Sequence, residues 1–147
     1  MITVGRAVHG DHAALAALIR RACQFAPAAI KPEGAAIETF AASLLHDPAR
    51  VCIVLRDGDK LAGCFALALT VNHYSGDLQA QKLGWYVDPA YAGHGLKLLK
   101  AAERWAVARG AKSLIAASPA KRLSRVLGGL GYQPMEMVYR KDLSCRS

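Results

Sequence analysis

The sequence predicts an α/β fold in which helices cover both faces of a mixed, mostly antiparallel sheet. Three observations lead to this prediction. The chain has 147 residues, of which 53% are hydrophobic and 20% charged. Short apolar runs of strand length occur beside segments of helical periodicity, and turn signals separate them. Because this length suits one compact domain, we expect a single domain over residues 1–143 and a short tail at 144–147.

Short apolar runs bounded by turn signals predict the strands. Asp57-Gly58 is a typical hairpin turn between two of them, and Asp88-Pro89 closes the strand that precedes the longest helix. Strands are predicted at residues 2–8, 51–55, 61–69, 81–87 and 113–117, with one bent strand or a final hairpin at 133–143.

Apolar residues spaced three and four apart predict four helices. Asp11 stands where the N-cap of the first is expected. Asp47-Pro48 ends the second, because a residue before proline disfavours helical geometry. Ser118-Pro119 suits the start of the last, with proline at the first helical position. The predicted helices cover residues 11–23, 37–45, 94–109 and 119–130.

The net charge of +8 is unevenly distributed. Residues 1–73 hold seven Lys or Arg and six Asp or Glu, whereas residues 74–147 hold twelve and five. A basic half attracts anions such as nucleic acid, an acidic membrane or a phosphorylated cofactor, and charge by itself does not choose among them. No apolar run approaches the ~20 residues that span a bilayer, and the N-terminus has no signal pattern. We therefore expect a cytoplasmic protein without a membrane partner.

The four cysteines are Cys23, Cys52, Cys64 and Cys145. Their spacing fits no zinc or redox motif, so we expect no metal. Cys52 and Cys64 lie in apolar strand-like runs, where cysteine behaves as a small hydrophobic residue.

The strongest functional signal is a strand that leads through a glycine-bearing turn into a long amphipathic helix, over residues 84–99. Helix N-termini carry unsatisfied N–H groups and a partial positive charge, and they bind phosphate where glycine lets the backbone approach. Gly93 and Gly95 remove side chains from that approach, and Lys97 adds a cation. The pattern predicts a phosphate site; the alternative is that the two glycines only shape a turn.

The element order resembles that of the GNAT (N-acetyltransferase) superfamily over nearly the whole chain. Val87-Asp88-Pro89 resembles the family's strand exit, and Leu130-Gly131-Tyr132 its closing segment. The family loop has Arg or Gln, two free positions, Gly, one free position, then Gly or Ala. Here Gly95 matches, while Ala92 and Lys97 depart from the pattern. The chain's length and this degenerate loop also resemble small GNAT-like proteins of phage genomes.

The resemblance implies a site for acetyl-CoA. The backbone of Trp85 and Val87 would pair with the pantetheine arm as an added strand does. Lys121, Arg122 and Arg125 would lie near the 3′-phosphate; a solvated helix face is the alternative. The pyrophosphate would bind backbone N–H groups of Gly93, His94, Gly95, Leu96 and Lys97.

The resemblance also implies a tyrosine that donates a proton to the leaving thiolate. In the family this tyrosine lies four residues before the glycine that corresponds to Gly131, but here Leu127 occupies that position. Two substitutes are Tyr139, on the predicted last strand, and His73, in a loop beside the central strands. Histidine is a residue type that exchanges protons near neutral pH. Asp77 and Glu136 are further candidates.

Three functions follow. The first is transfer of an acetyl group from acetyl-CoA to a primary amine of a small molecule or a protein. The second is a catalytically inactive binding or structural protein with the same fold, which still binds CoA. The third, a nucleic-acid-binding domain, rests on charge alone, because the aromatic residues do not interleave with the basic ones. We favour the first. The resemblance places the acceptor against residues 24–36 and 133–140, and homodimers are common in the family.

Overall fold

The computed structural model describes residues 1–26, 30–117 and 121–144, with only the backbone at Lys121 and Arg122. The chain divides into two units, residues 1–115 and residues 116–147, and each is described by itself. Ser118-Pro119, the expected start of the last helix, lies outside the described residues.

Five strands form one sheet in the first unit, in the same order as in the sequence. The first four are antiparallel to their neighbours and the last is parallel to the fourth. This confirms the predicted mixed, mostly antiparallel sheet. The strands are β1 (Ile2–Arg6), β2 (Arg50–Asp57), β3 (Lys60–Val71), β4 (Leu78–Val87) and β5 (Ser113–Ile115).

Four helices accompany the strands: α1 (His12–Cys23), α2 (Gly34–His46), α3 (Gly95–Ala108) and, in the second unit, α4 (Lys121–Gly129). The first three cover opposite faces of the sheet. Cys64 belongs to the core formed with α1 and α2, whereas the space beside Gly63 is closed by Leu98 of α3. Because neighbouring residues of a strand point to opposite faces, the sheet has an α1–α2 face and an α3 face.

Each face buries a separate set of apolar side chains. On the α1–α2 face, Leu15, Leu18 and Leu44 pack against Cys52 and Cys64. On the α3 face, the buried residues include Leu98 and Leu99 of α3 and Phe65 of β3. Fully burying a leucine contributes about 2 kcal/mol, so both layers hold β3 and β4 firmly. None of the helices within residues 1–26, 30–117 and 121–144 combines the length and apolar character needed to cross a membrane.

Asp11 precedes α1 as expected, but its side chain does not cap that helix. Its carboxylate instead accepts a hydrogen bond from the Val8 N–H at 2.7 Å and pairs with Arg56 of β2, one contact being 2.9 Å. These bonds lower the pKa of Asp11, that from Arg56 most, although burial opposes them. The Asp11 carboxylate therefore binds the Arg56 guanidinium in place of the N–H groups of α1, and this ion pair connects the start of α1 to β2.

The strand or hairpin predicted at 133–143 is wrong: these residues form no regular element. Met135, Met137 and Tyr139 alternate as strand residues do, yet each is more than 70% exposed. Apolar alternation favours a strand only where a neighbouring strand pairs with it. Pro134 also removes a backbone donor near the beginning of the segment.

Candidate functional site

β4 contains a one-residue bulge. Ala66 of β3 is opposite Gly84, but the next residue, Leu67, is opposite Lys82, so Leu83 is the extra residue. Bulges bend a strand and end its regular pairing. On its other side, β4 pairs with β5 only over residues 79–81. The part of β4 that follows the bulge therefore has an outer edge that β5 does not cover.

The backbone groups on that outer edge belong to Trp85 and Val87. The Asp88 N–H donates to the Ala62 carbonyl at 2.8 Å, so Asp88 points its backbone groups towards β3. In an antiparallel ladder, hydrogen-bonded pairs alternate with non-hydrogen-bonded pairs. Tyr86 therefore also points its groups towards β3, and the N–H and C=O of Trp85 and Val87 point away from it.

The turn after β4 leads these groups to the beginning of α3. A single turn of 3₁₀ helix is followed by Gly93, whose φ of +98° is left-handed, a conformation that glycine adopts at no steric cost. His94 precedes α3 and donates its N–H to the Tyr91 carbonyl at 3.2 Å. Among the described residues, the N–H groups of Gly93, Gly95 and Leu96 have no hydrogen-bond acceptor. Three donors are thus available at the end of the open strand edge.

Trp85 and Tyr86 point to opposite faces of the sheet. The Trp85 indole lies 3.6 Å from the position that a Gly95 Cβ would occupy, and its ring centroid is 5.1 Å from that of Phe65. Trp85 therefore fills the α3 face beneath the helix start. Tyr86 lies on the α1–α2 face, where its ring centroid is 5.8 Å from that of Phe25.

Sequence reasoning missed the anchor of the strand exit. The buried Asp88 carboxylate accepts two hydrogen bonds from Arg21, at 3.0 and 3.1 Å, and Arg21 also donates to the Leu61 carbonyl at 3.1 Å. Burial alone would raise the pKa of Asp88, but the bonds from Arg21 and Tyr86 outweigh it and lower the pKa. The pair joins the end of α1 to the strand exit, and no signal in the sequence linked these two positions.

Tyr91 anchors the turn on its other side. Its hydroxyl donates to the Asp57 carboxylate at 2.6 Å, and the Lys60 ammonium lies 5.5 Å from the centre of its ring. The hydrogen bond from Tyr91 lowers the pKa of Asp57. The turn is therefore connected to the β2–β3 hairpin as well as to α1.

The structure does not bring His73 to the open edge of β4. His73 is exposed in the turn between β3 and β4, where the Asn72 side chain accepts N–H bonds from Tyr74 and Ser75. Asp77 lies in the same turn. Gly84, where the open edge begins, lies six residues after the first residue of β4, so at about 3.3 Å per residue this turn is roughly 20 Å from that edge.

The remaining candidates belong to the second unit. Tyr139 lies in the irregular segment, 83% exposed, and its hydroxyl donates to the Met137 Sδ at 3.6 Å. Glu136 is also exposed in that segment. Leu127 is buried and Arg125 is exposed on α4, while the side chains of Lys121 and Arg122 lie outside the described residues.

Two cysteines are buried on the α1–α2 face. The contact between Cys52 and Cys64 raises the pKa of the Cys52 thiol, and burial raises it further. Cys23, at the end of α1, is half-buried. Within residues 1–26, 30–117 and 121–144, no three His, Cys, Asp or Glu side chains form a group able to hold a metal ion.

A family model described as "Acetyltransferase (GNAT) family" matches residues 15–128, more than three quarters of the chain. The chain belongs to the GNAT family. Among curated protein sequences, none is significantly similar to it. No finding bears on the likeness to phage proteins, which stays a prediction.

Solved structures support the GNAT fold. A predicted acetyltransferase from Clostridium acetobutylicum, crystallised with acetyl-CoA, is 16% identical with a TM-score of 0.80, covering 98% of this chain and 97% of its own. An acetyltransferase from Trypanosoma brucei is 18% identical with a TM-score of 0.76, covering 97% and 100%. The ribosomal-protein-alanine N-acetyltransferase of Brucella melitensis biovar Abortus is 18% identical with a TM-score of 0.71, covering 97% and 98%. At these identities the likeness shows the fold alone.

Proposed function

We propose that this GNAT protein transfers the acetyl group of acetyl-CoA to a primary amine. The observation that supports the proposal is the continuity between the open edge of β4 and the beginning of α3. The outward backbone groups of Trp85 and Val87 lead directly to the N–H groups of Gly93, Gly95 and Leu96, which have no acceptor among the described residues.

Each part of this surface suits one part of acetyl-CoA. The amide groups of the extended pantetheine arm pair with an unoccupied strand edge as another strand would. The pyrophosphate is held by the N–H groups and the partial positive charge at the start of α3. The exposed Lys97 side chain in the first turn adds a full charge. The backbone N–H groups of His94 and Lys97, which the sequence predicted to bind the pyrophosphate, instead donate to the carbonyls of Tyr91 and His94, each at 3.2 Å.

In the reaction, the neutral amine nitrogen attacks the thioester carbonyl, a C–N bond forms and the C–S bond breaks. The amine loses a proton and the leaving thiolate gains one. We propose Tyr139 and His73 as candidates for these proton transfers, since Leu127 cannot perform them. The exposed hydroxyl of Tyr139 is available, whereas the distance along β4 weighs against His73.

A catalytically inactive protein that still binds CoA is the second candidate. It is favoured by Ala92 and Lys97 in the loop and by Leu127 at the position where the family has its tyrosine. Release of CoA thiol from acetyl-CoA in the presence of an amine panel separates the two functions. Tyr139→Phe and His73→Ala belong in the same assay, where a lower kcat with an unchanged KM for acetyl-CoA marks a group that acts in the chemical step.

Binding of CoA is tested with Gly95→Asp. A side chain fits there sterically, because the nearest atom to a Gly95 Cβ is 3.6 Å away, but a carboxylate repels the pyrophosphate and covers the N–H groups. We expect CoA to raise the Tm of the wild type, since a ligand bound only to the folded state stabilises it. The variant's Kd, measured by calorimetry, is expected to rise at least about tenfold, equivalent to about 1.4 kcal/mol.

Gly5→Asp is the matched control, because it introduces the same charge on β1, where a Cβ meets none of the atoms that the structure describes within 4 Å. It is expected to retain wild-type affinity. If Gly95→Asp binds CoA as tightly as Gly5→Asp does, the pyrophosphate is not held at the start of α3.

A further inference from the structure

We propose that the acceptor is a primary amine with one aromatic arm, which lies on the α1–α2 face of β4 against Phe25 and Tyr86. This inference rests on the proposed function. It names the class of amine, which neither the family nor the likeness to solved structures specifies.

The two sides of β4 differ in the room they leave for an acceptor. On the α3 face, Trp85 fills the space between Phe65 and Gly95. On the other face, a Cβ added to Gly84 would meet no atom of residues 1–26, 30–117 or 121–144 within 4 Å. A thiol arm that starts at α3 and runs back along Val87 and Trp85 brings its thioester to Gly84, beside the bulge. The open space at Gly84 is therefore where an amine reaches the acyl carbon.

Aromatic side chains line the space beside Gly84. Gly84 and Tyr86 share a face because they are two residues apart and follow the bulge. The Tyr86 ring contacts Phe25, with centroids 5.8 Å apart and planes at 31°. Phe25 is nevertheless 67% exposed. A substrate ring placed here buries that exposed aromatic surface and gains the geometry-dependent attraction between rings.

The charged groups of the elements around this space disfavour a polyamine. Four carboxylates belong to residues 1–26, 30–46 and 78–88, and every one is engaged. Asp11 pairs with Arg56, Asp88 pairs with Arg21, and Glu38 accepts bonds from His12 and Arg20. Glu33 caps α2 by accepting the N–H groups of Ala35 and Ala36. Three of these carboxylates thus face a cationic partner, and only Glu33, bonded to neutral N–H groups, keeps a charge that a second ammonium group could meet. The chain's net charge of +8 would repel that second ammonium group.

The test compares three amines of defined chemistry as acceptors of the acetyl group. Phenethylamine carries an aromatic arm, cyclohexylethylamine has the same carbon skeleton without aromaticity, and spermidine is a polycation. We expect kcat/KM for phenethylamine to exceed that for spermidine at least about tenfold and that for the cyclohexyl amine about threefold. Equal or better turnover of spermidine would overturn the inference while leaving the proposed function intact.

Two variants locate the effect. Phe25→Ala and Gly84→Val are each expected to raise the KM for phenethylamine about tenfold, by loss of the ring contact and by filling the space. In Phe25→Ala, which alters no residue of the β4 edge, the KM for acetyl-CoA is expected to stay unchanged. Gly5→Val, a similar change in open space on β1, is the control and keeps wild-type values. An unchanged amine KM in both test variants would place the acceptor elsewhere.

Calorimetric titration of phenethylamine into the CoA-saturated protein tests the inference independently of turnover. Binding that is weakened in Phe25→Ala supports it, even if no amine releases thiol and the proposed transfer activity fails. Absence of binding to the wild type overturns it.

Discussion

Asp88 is the residue whose charge holds the strand exit in place. Its side chain is 10% exposed and that of Arg21 is 39% exposed, so solvent screens the cation more than the carboxylate. A residue that fixes the direction of the turn also fixes where Gly93 and Gly95 lie. The ion pair is therefore a positioning device for the proposed phosphate site, and it acts through the backbone rather than by contact with the ligand.

Asp88→Asn is expected to lower the free energy of unfolding by about 2 kcal/mol, because it removes charge-assisted hydrogen bonds whose worth is discounted by the exposure of Arg21. Since the pKa of Asp88 is lowered on folding, its contribution is complete above its unfolded-state value of about 3.9. That contribution is lost as the pH falls through the lower folded-state value. Urea unfolding at pH 7 and at steps from pH 5 to pH 2 measures both effects.

Asp59→Asn is the control, because Asp59 is exposed in the β2–β3 turn and should change stability by under about 0.5 kcal/mol. An Asp88→Asn variant that matches this control at pH 7 would show that the pair is not a structural anchor.

At the scale of elements, the bulge in β4 decides which side chains face which helix. Side chains alternate with a period of two, so one extra residue reverses the order that follows it. With Leu83 inserted, Trp85 faces α3 and Tyr86 faces α1 and α2. Glycine in a strand is compatible with a bulge, but the sequence does not specify which residue is inserted. The orientation of the two aromatic rings could not be predicted for that reason.

Gly63 shows how closely β3, β4 and α3 approach one another. A Cβ there would lie 3.0 Å from the Tyr86 carbonyl oxygen and 3.3 Å from Leu98 and Val87 side-chain atoms. Gly63→Ala is expected to lower the free energy of unfolding by about 1–3 kcal/mol, because a strand backbone must move. It is also expected to weaken CoA binding severalfold, because β4 and the start of α3 are displaced. Thermal unfolding and calorimetry measure the two effects.

Gly5→Ala, where the added methyl group has no neighbour within 4 Å in the described part of the chain, provides the reference for a glycine in a β-strand. If Gly63→Ala has the same Tm and CoA affinity as this control, the three elements do not require glycine at their contact.

At the scale of the whole molecule, the uneven charge has a measurable consequence for the proposed donor, acetyl-CoA. CoA is a polyanion, and most of the net charge of +8 comes from residues 74–147. Screening by salt reduces such attraction. We expect the KM for acetyl-CoA to rise roughly threefold to tenfold between 50 and 500 mM salt. The KM for phenethylamine, which carries one charge, should change less. A KM for acetyl-CoA that is independent of salt would mean that the basic half serves another purpose.

The sequence predicted every strand from β1 to β5 and all four helices, because each has a clear apolar period and a turn or cap at its ends. It failed at residues 133–143, where alternation was present but no partner strand was. In the site, the glycine positions and the order of elements were enough to predict the turn between β4 and α3 and the N–H groups at the helix start. Contacts between distant positions, such as Arg21 with Asp88 and Phe25 with Tyr86, were not, since helix packing brings them together and no local pattern encodes it.

Because the cysteines differ in burial, a fluorescent label can be attached selectively near Phe25 and Tyr86. Cys52 and Cys64 are shielded from alkylating dyes, whereas Cys23 is half-buried and lies two residues before Phe25. With Cys145, outside the described residues, replaced by serine, a maleimide fluorophore would attach at Cys23. Its emission would then report directly on a substrate ring arriving beside Phe25.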